Sequence, residues 1–241
     1  MDRDLRPAIG VLRQLQELDQ RIWELKRRQA ELPEQLAAVQ QARDAQAERT
    51  ADAEARMKAI QLQQKSKEME LGSKEEAIKK AQVQLYQVKT NKEYTALQHE
   101  IEGFKADRSV LEDDILAMMD GIEAASRATN QQRDALHQAE ETLRATKARL
   151  DGEAHEMDRQ LAGLAAQRQQ LVPQVTANIL GVYERVLENR QGLALVPMDG
   201  EACGGCHMIL PPQVIHEVRM AEKLIRCDNC TRLLYWIEDA S

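Results

Sequence analysis

Four cysteines fall into two pairs of the same spacing, Cys203-Gly-Gly-Cys206 and Cys227-Asp-Asn-Cys230, with twenty residues between the pairs. A CxxC segment turns tightly enough to offer two thiolates to one ion. Two such knuckles complete a tetrahedron with bonds of about 2.3 Å. The spacing predicts a zinc site whose ligands are Cys203, Cys206, Cys227 and Cys230. Four protein ligands leave no position open for a substrate, so one structural ion is expected and not a catalytic one. A module of roughly 40 residues needs that crosslink, because its own core is too small to hold it.

The same residues admit other chemistries. Cys203-Gly-Gly-Cys206-His207 fits the c-type haem attachment pattern, but that requires export and leaves the second pair without a role. A redox dithiol would account for one pair and not for both. Four thiolates alone do not separate zinc from iron. His207 is expected to belong to the knuckle, donating to a thiolate, and not to be a fifth ligand. Elsewhere the catalytic patterns are missing. His155-Glu156 and His216-Glu217 lack the second histidine of HExxH, having Arg159 and Met220 in its place, and there is no P-loop, dinucleotide glycine motif or deaminase signature. His99 and His137 read as solvated coil residues. The chemistry is that of a metal-stapled binding module, not an enzyme.

The elements that carry this module are mostly helical. Aromatic residues make up 3% of 241 residues, with the single phenylalanine Phe104, which argues against a large globular core. In the first arm, Leu18, Ile22, Leu25, Leu32, Leu36 and Val39 keep the alternating spacing of a coiled-coil seam, with Gln29 in one slot. Arg43, Gln46 and Thr50 interrupt it before Ala53, Met57 and Ile60 resume, so the middle is expected to be the loosest part. Pro33 predicts a kink. The second arm runs in one register from Tyr94, Leu97, Ile101 and Phe104 through Leu111, Ile115, Met118, Ile122, Leu136 and Leu143 to Leu150. An inserted residue then shifts the spacing near Ala154 and Met157.

Between the arms, Thr90 and Glu93 form a capping box, which starts a new helix. Two arms, Leu5 to Val88 and Asn91 to Leu171, bury their seams most readily as an antiparallel hairpin, each about 1.5 Å per residue and so roughly 120 Å long. Gly72-Ser73 followed by Glu76 offers a second stop-and-restart signal. The turn is therefore placed either at Gly72 or near Thr90, with residues 74–88 a possible separate short helix. The expected division is a coil over 1–172 with its tip near 72–93, a linking helix over 173–192 ending at Gly192 as the C′ residue, and a β-rich zinc ribbon over 193–241. In that ribbon Leu193–Val196 and Leu233–Ile237 are strand candidates. The fold class is mainly α.

Net charge is −7 with 30% charged residues, which gives no general case for nucleic acid or an acidic membrane. Seven of the twelve lysines, however, lie between Lys65 and Lys92 against four acids. Lys79, Lys80, Tyr86, Lys89, Asn91, Lys92 and Tyr94 are the candidate partner-binding residues of this basic tip, for a protein or RNA. The alternatives are that the lysines are only a solvated face and that the tyrosines only close the seam. From Glu201 onward four cations (Arg219, Lys223, Arg226, Arg232) meet six carboxylates, including Glu238 and Asp239, which weakens a nucleic-acid reading of the ribbon. Met1-Asp-Arg-Asp is followed by no apolar run and no 18-residue apolar stretch occurs, so a cytoplasmic protein without a membrane span is expected, where free cysteines favour metal.

Val88-Lys-Thr-Asn-Lys-Glu-Tyr-Thr-Ala-Leu97 with Glu100-Ile101, together with Cys203-Gly-Gly-Cys-His207, Leu210-Pro211 and the second CxxC, resembles a family of bacterial proteins with a long hooked coiled coil and a C-terminal four-cysteine zinc ribbon. The resemblance covers the whole architecture. It implies an adaptor whose partner is a protein such as the nitrogen-type alternative sigma factor of RNA polymerase, with links to flagellar gene expression, messenger RNA binding and secretion proteins. One departure is Thr231, which stands where such ribbons often have a glycine at positive φ and would be strained there. The expected function is an adaptor whose coil separates two binding surfaces. An RNA-binding regulator and a structural coiled-coil spacer are the alternatives, and monomer and homodimer are both open.

Overall fold

A computed structural model describes residues 4–237; Glu238 and Asp239, counted above in the ribbon charge, lie outside the described residues. The order is α1 (Arg6–Leu85), α2 (Asn91–Leu171), one 3-10 turn (Val172–Gln174), α3 (Ala177–Asn189), β1 (Leu195–Asp199), β2 (Ala202–Cys203), α4 (Pro212–Met220), β3 (Ile225–Arg226) and β4 (Leu233–Tyr235). The chain divides into two compact units, Met1–Leu36 with Lys147–Ser241, and Ala37–Thr146.

The Ala37–Thr146 unit is an antiparallel helix pair. Lys67 meets Asp114 at 3.1 Å and Lys74 meets Asp107 at 2.6 Å, so rising numbers on α1 face falling numbers on α2. Ile78, Ala81, Ile101 and Leu111 are buried in the seam. Where the apolar pattern lapses, the slots are filled by hydrogen bonds and not by slack. Gln46 Nε2 donates to Gln132 Oε1 at 2.8 Å, Thr50 is buried with its hydroxyl 2.9 Å from the Gln46 carbonyl, and buried Thr129 donates to the Ala125 carbonyl at 2.8 Å. The Thr50 hydroxyl also lies 3.2 Å from the Gln132 carbonyl, so Gln46 and Thr50 both reach Gln132 across the pair, and sliding the helices would break those two bonds.

The turn lies near Thr90. α1 runs through Gly72 without a break, Ser73 Oγ donates to the Met69 carbonyl at 3.0 Å, and no separate helix forms over 74–88. A glycine in a helix costs about 1 kcal/mol, and burying the seam residues that follow, Ile78 and Ala81, offsets it. The chain turns only after Leu85, and α2 starts with the expected cap in altered form. The Glu93 amide donates to Thr90 Oγ1 at 3.3 Å, but the Glu93 carboxylate accepts from the Thr90 hydroxyl at 2.7 Å instead of from the cap amide. α1 likewise continues through Pro33, which is exposed.

In the other unit the coil acquires a third layer. Leu12 and Leu15 of α1 are fully buried against Val175, Tyr183, Val186, Ala194, Leu195 and Leu233. Leu12, Gln16, Asp19 and Trp23 thus form a second face of α1, spaced four, three, four, beside the coil seam. Two of its members are polar and satisfied. Gln16 donates to the Gly192 carbonyl at 2.7 Å, and its oxygen accepts the amides of Ala194 at 2.7 Å and Leu195 at 2.9 Å. Asp19 accepts from Tyr183 at 2.9 Å and from Arg168 at 2.7 Å, while Arg168 also reaches Glu184 at 2.8 Å. Burial, then the Asp19 charge, pushes the Tyr183 phenol well above its ordinary range.

α3 ends one residue earlier than the glycine signal placed it. Gln191 takes the left-handed C′ position at φ 54°, and Gly192, at φ 79°, is the next residue, its amide bonded to the Leu187 carbonyl at 3.2 Å. A side chain at Gly192 would lie 2.5 Å from Cβ of Trp23, so close helix packing demands glycine here. The sheet has order β2-β1-β4-β3, with β1 and β4 parallel and the outer pairs antiparallel. α4, between the two cysteine pairs, is an element the β-rich expectation lacked. Pro212 at its first turn and buried Ile215 and Val218 are the signals that specify it.

Candidate functional site

The sheet brings the two knuckles together. The four Sγ atoms lie within 4.8 Å of one another. Cys203 and Cys230 are 3.7 Å apart, as are Cys206 and Cys227. A tetrahedron with metal–sulfur bonds of about 2.3 Å has edges of about 3.8 Å. Those separations therefore fit a four-thiolate zinc, and they are far too long for a disulfide; all four cysteines are free. Cys203, Cys227 and Cys230 are buried and Cys206 is half-buried, which closes the site to substrate.

The protein prepares these ligands unequally. Burial pushes the Cys203 thiol up to about 12 and raises Cys227, whereas a hydrogen bond from Asn229, with the Met208 amide, brings Cys206 down to about 6. Cys206 is thus the thiolate most readily formed, and the ion must displace protons from Cys203 and Cys227. The thiolate donor expected of His207 is instead a backbone amide. Gly205 N lies 3.4 Å from Cys203 Sγ, while His207 is exposed, at φ 59°, with its amide on the Cys203 carbonyl at 2.7 Å. Thr231 repeats this in the second knuckle, at φ 63° with its amide on the Cys227 carbonyl at 2.7 Å. Each knuckle is closed by the residue after its second cysteine, in the left-handed region. Gly204 is fixed by proximity, since a Cβ there would lie 2.6 Å from the Pro197 carbonyl oxygen. Arg232 ties the knuckles to the sheet, its guanidinium donating to the carbonyls of Leu193 at 3.0 Å and Gly205 at 3.1 Å.

The tip residues sort into two groups. Lys67 and Lys74 are seam residues, paired with Asp114 and Asp107, and Lys74 also lies over the Phe104 ring at 5.4 Å. Lys79, Lys80, Lys89, Asn91 and Lys92 are exposed. Tyr86 is 90% exposed, so it does not close the seam, and Tyr94 is 43% exposed. Val83 adds an exposed apolar side chain. Between Lys79 and Lys92 the sequence has no carboxylate, and α2 returns Glu93 and Glu100 to the same end. The basic surface is therefore confined to the apex.

Among the described residues no helix is long and apolar enough to cross a membrane. Comparison with known proteins accords with the geometry. Residues 202–234 match the C4-type zinc ribbon domain. No curated protein matches the sequence. The structure of CT398 from Chlamydia trachomatis is similar over 95% of this chain and 98% of its own, with 27% identity and a TM-score of 0.82. HP0958 from Helicobacter pylori (21% identity, 95% and 96% covered, TM-score 0.57) and a Mycobacterium smegmatis protein (18%, 93% and 98%, 0.59) share the fold. With residues 15–191 matching the CT398-like coiled coil hairpin domain, the chain belongs to that family.

Proposed function

We infer that this protein is a non-enzymatic cytoplasmic adaptor that binds a protein partner through the apex of its helical hairpin, with the zinc ribbon as a second binding module. The observation that carries the reading is the near-complete exposure of Tyr86 amid Lys79, Lys80, Lys89 and Lys92. A ring this exposed has most of its apolar area still to bury against a partner, and tyrosine beside cations is the composition of an interface centre. The partner proposed is the nitrogen-type alternative sigma factor of RNA polymerase, which gives the protein a transcription-related role that includes flagellar genes.

The test is a salt titration of sigma-factor binding by the wild type and by a Lys79→Glu, Lys80→Glu, Lys89→Glu, Lys92→Glu variant. The charge reversal leaves the seam untouched and should slow association most at low salt. A moderate salt slope is expected for a protein contact with an apolar centre; a steep slope shared by RNA would favour the post-transcriptional alternative. Equal affinities of both proteins at every salt concentration would remove the apex from the mechanism.

A further inference from the structure

We propose that the arginine-lined groove between the start of α1 and the α4 face of the ribbon is a docking site for an acidic peptide segment that carries apolar side chains. The groove holds about 260 Å³ and takes Arg6, Gly10 and Arg13 from α1, Arg219 from α4, and Trp236 and Ile237 from the chain after β4. Two of its guanidinium groups are stacked on rings: Arg13 lies 5.1 Å from the Tyr235 centroid and Arg219 lies 4.4 Å from that of Trp236. Stacking orients each guanidinium plane and leaves its edge, where the N–H donors are, free for an oxygen pair. Among the described residues neither Arg13 nor Arg219 has a carboxylate partner, although ion pairs are formed elsewhere in the ribbon, as between Lys223 and Glu217 at 3.0 Å. Gly10 has nothing within 4 Å of where a side chain would stand, so packing gives no reason for a helix-weakening residue there, and its bareness lets a ligand approach the backbone.

The surroundings choose the occupant. Ile237, 43% exposed, lines the groove together with Ile9 and Trp236 and sets apolar surface beside the cations. Carboxylates match the two forks in bidentate geometry, and apolar side chains on the same segment match the flanks. Single-stranded RNA fits less well. Base stacking needs a bare ring face, and a guanidinium occupies a face of each ring here. The ribbon as a whole is acidic, which repels a polyanion more than a short segment seated between the arginines.

This inference rests on the reading of the chain as a binding protein but not on the apex, and its test separates the two. The zinc-loaded full chain is titrated by fluorescence anisotropy with a labelled peptide of alternating glutamate and leucine, with its glutamine-for-glutamate twin, and with oligouridine. The acidic peptide should bind, and the neutral twin should bind at least about tenfold more weakly, the scale of losing charge-assisted contacts at an interface centre. Arg13→Gln with Arg219→Gln should weaken the acidic peptide by a similar factor while zinc content and helical circular dichroism stay unchanged. The four-lysine apex variant should bind the peptide as the wild type does. No binding of the acidic peptide, equal binding of its twin, wild-type binding by a correctly folded arginine variant, dependence on the apex lysines, or arginine-dependent binding of oligouridine in preference to the peptide would each overturn the proposal.

Discussion

Thr231 stands at φ 63°, where a β-branched side chain crowds its own backbone, and it is held there because its amide must reach the Cys227 carbonyl to close the second knuckle. Its hydroxyl recovers part of the cost by accepting from Arg190 at 3.2 Å and donating to the Cys230 carbonyl at 2.7 Å. His207 occupies the matching place in the first knuckle without such contacts, and histidine tolerates this region better. Thr231→Gly should relieve the strain and, after the entropy that glycine loses on folding, stabilise the loaded ribbon by about 1 kcal/mol. Because metal binding and folding are one equilibrium here, that appears as roughly fivefold tighter zinc retention in a chelator competition. Weaker retention in the glycine variant would mean that the Arg190 contact outweighs the backbone strain.

At the level of elements, the connection between α1 and α2 rests on Thr90, whose oxygen takes the Glu93 amide. Thr90→Ala should cost on the order of 1 kcal/mol locally and raise hydrogen exchange over residues 88–95. Unchanged exchange there would show that the cap contributes nothing to the start of α2. This cap was legible in the sequence because it depends on two side chains three residues apart. So was the cysteine set, whose spacing carries its own geometry. Gly72-Ser73 misled because its signal is local, whereas the decision to turn is made by the seam, which stays worth burying as far as Leu85. The second face of α1 was missed for the opposite reason. Leu12, Gln16, Asp19 and Trp23 mix polar and apolar types, and only the partners of Gln16 and Asp19 reveal that the face is buried. α4 was hidden by its length, although Pro212 with Ile215 and Val218 announces it.

For the whole molecule, the zinc ribbon and the base of the coil share one apolar cluster, in which Leu12 and Leu15 meet Leu195 and Leu233. Cys227→Ser should therefore release the metal and raise exchange through residues 200–237, and also through α3 and the start of α1. The Ala37–Thr146 unit has its own seam and should keep its protection, so that most of the helical circular dichroism survives. Loss of protection throughout Ala37–Thr146 would show that zinc holds the entire chain. Gln16 sharpens the point. With one amide side chain it satisfies a carbonyl and two amides of the segment that leads into β1, as a neighbouring strand would. A ribbon excised at Leu193 would lose that surrogate edge and leave Ala194 and Leu195 without a partner for their amides. The compact unit that holds the ribbon is instead discontinuous in sequence, so a piece that keeps the Gln16 contacts needs residues 4–36 spliced through a short turn to residues 147–237. Gln29 and Asp158, bonded at 2.8 Å, already bring the two helices side by side near the ends to be joined. Portability, for this zinc module, means carrying both ends of the chain.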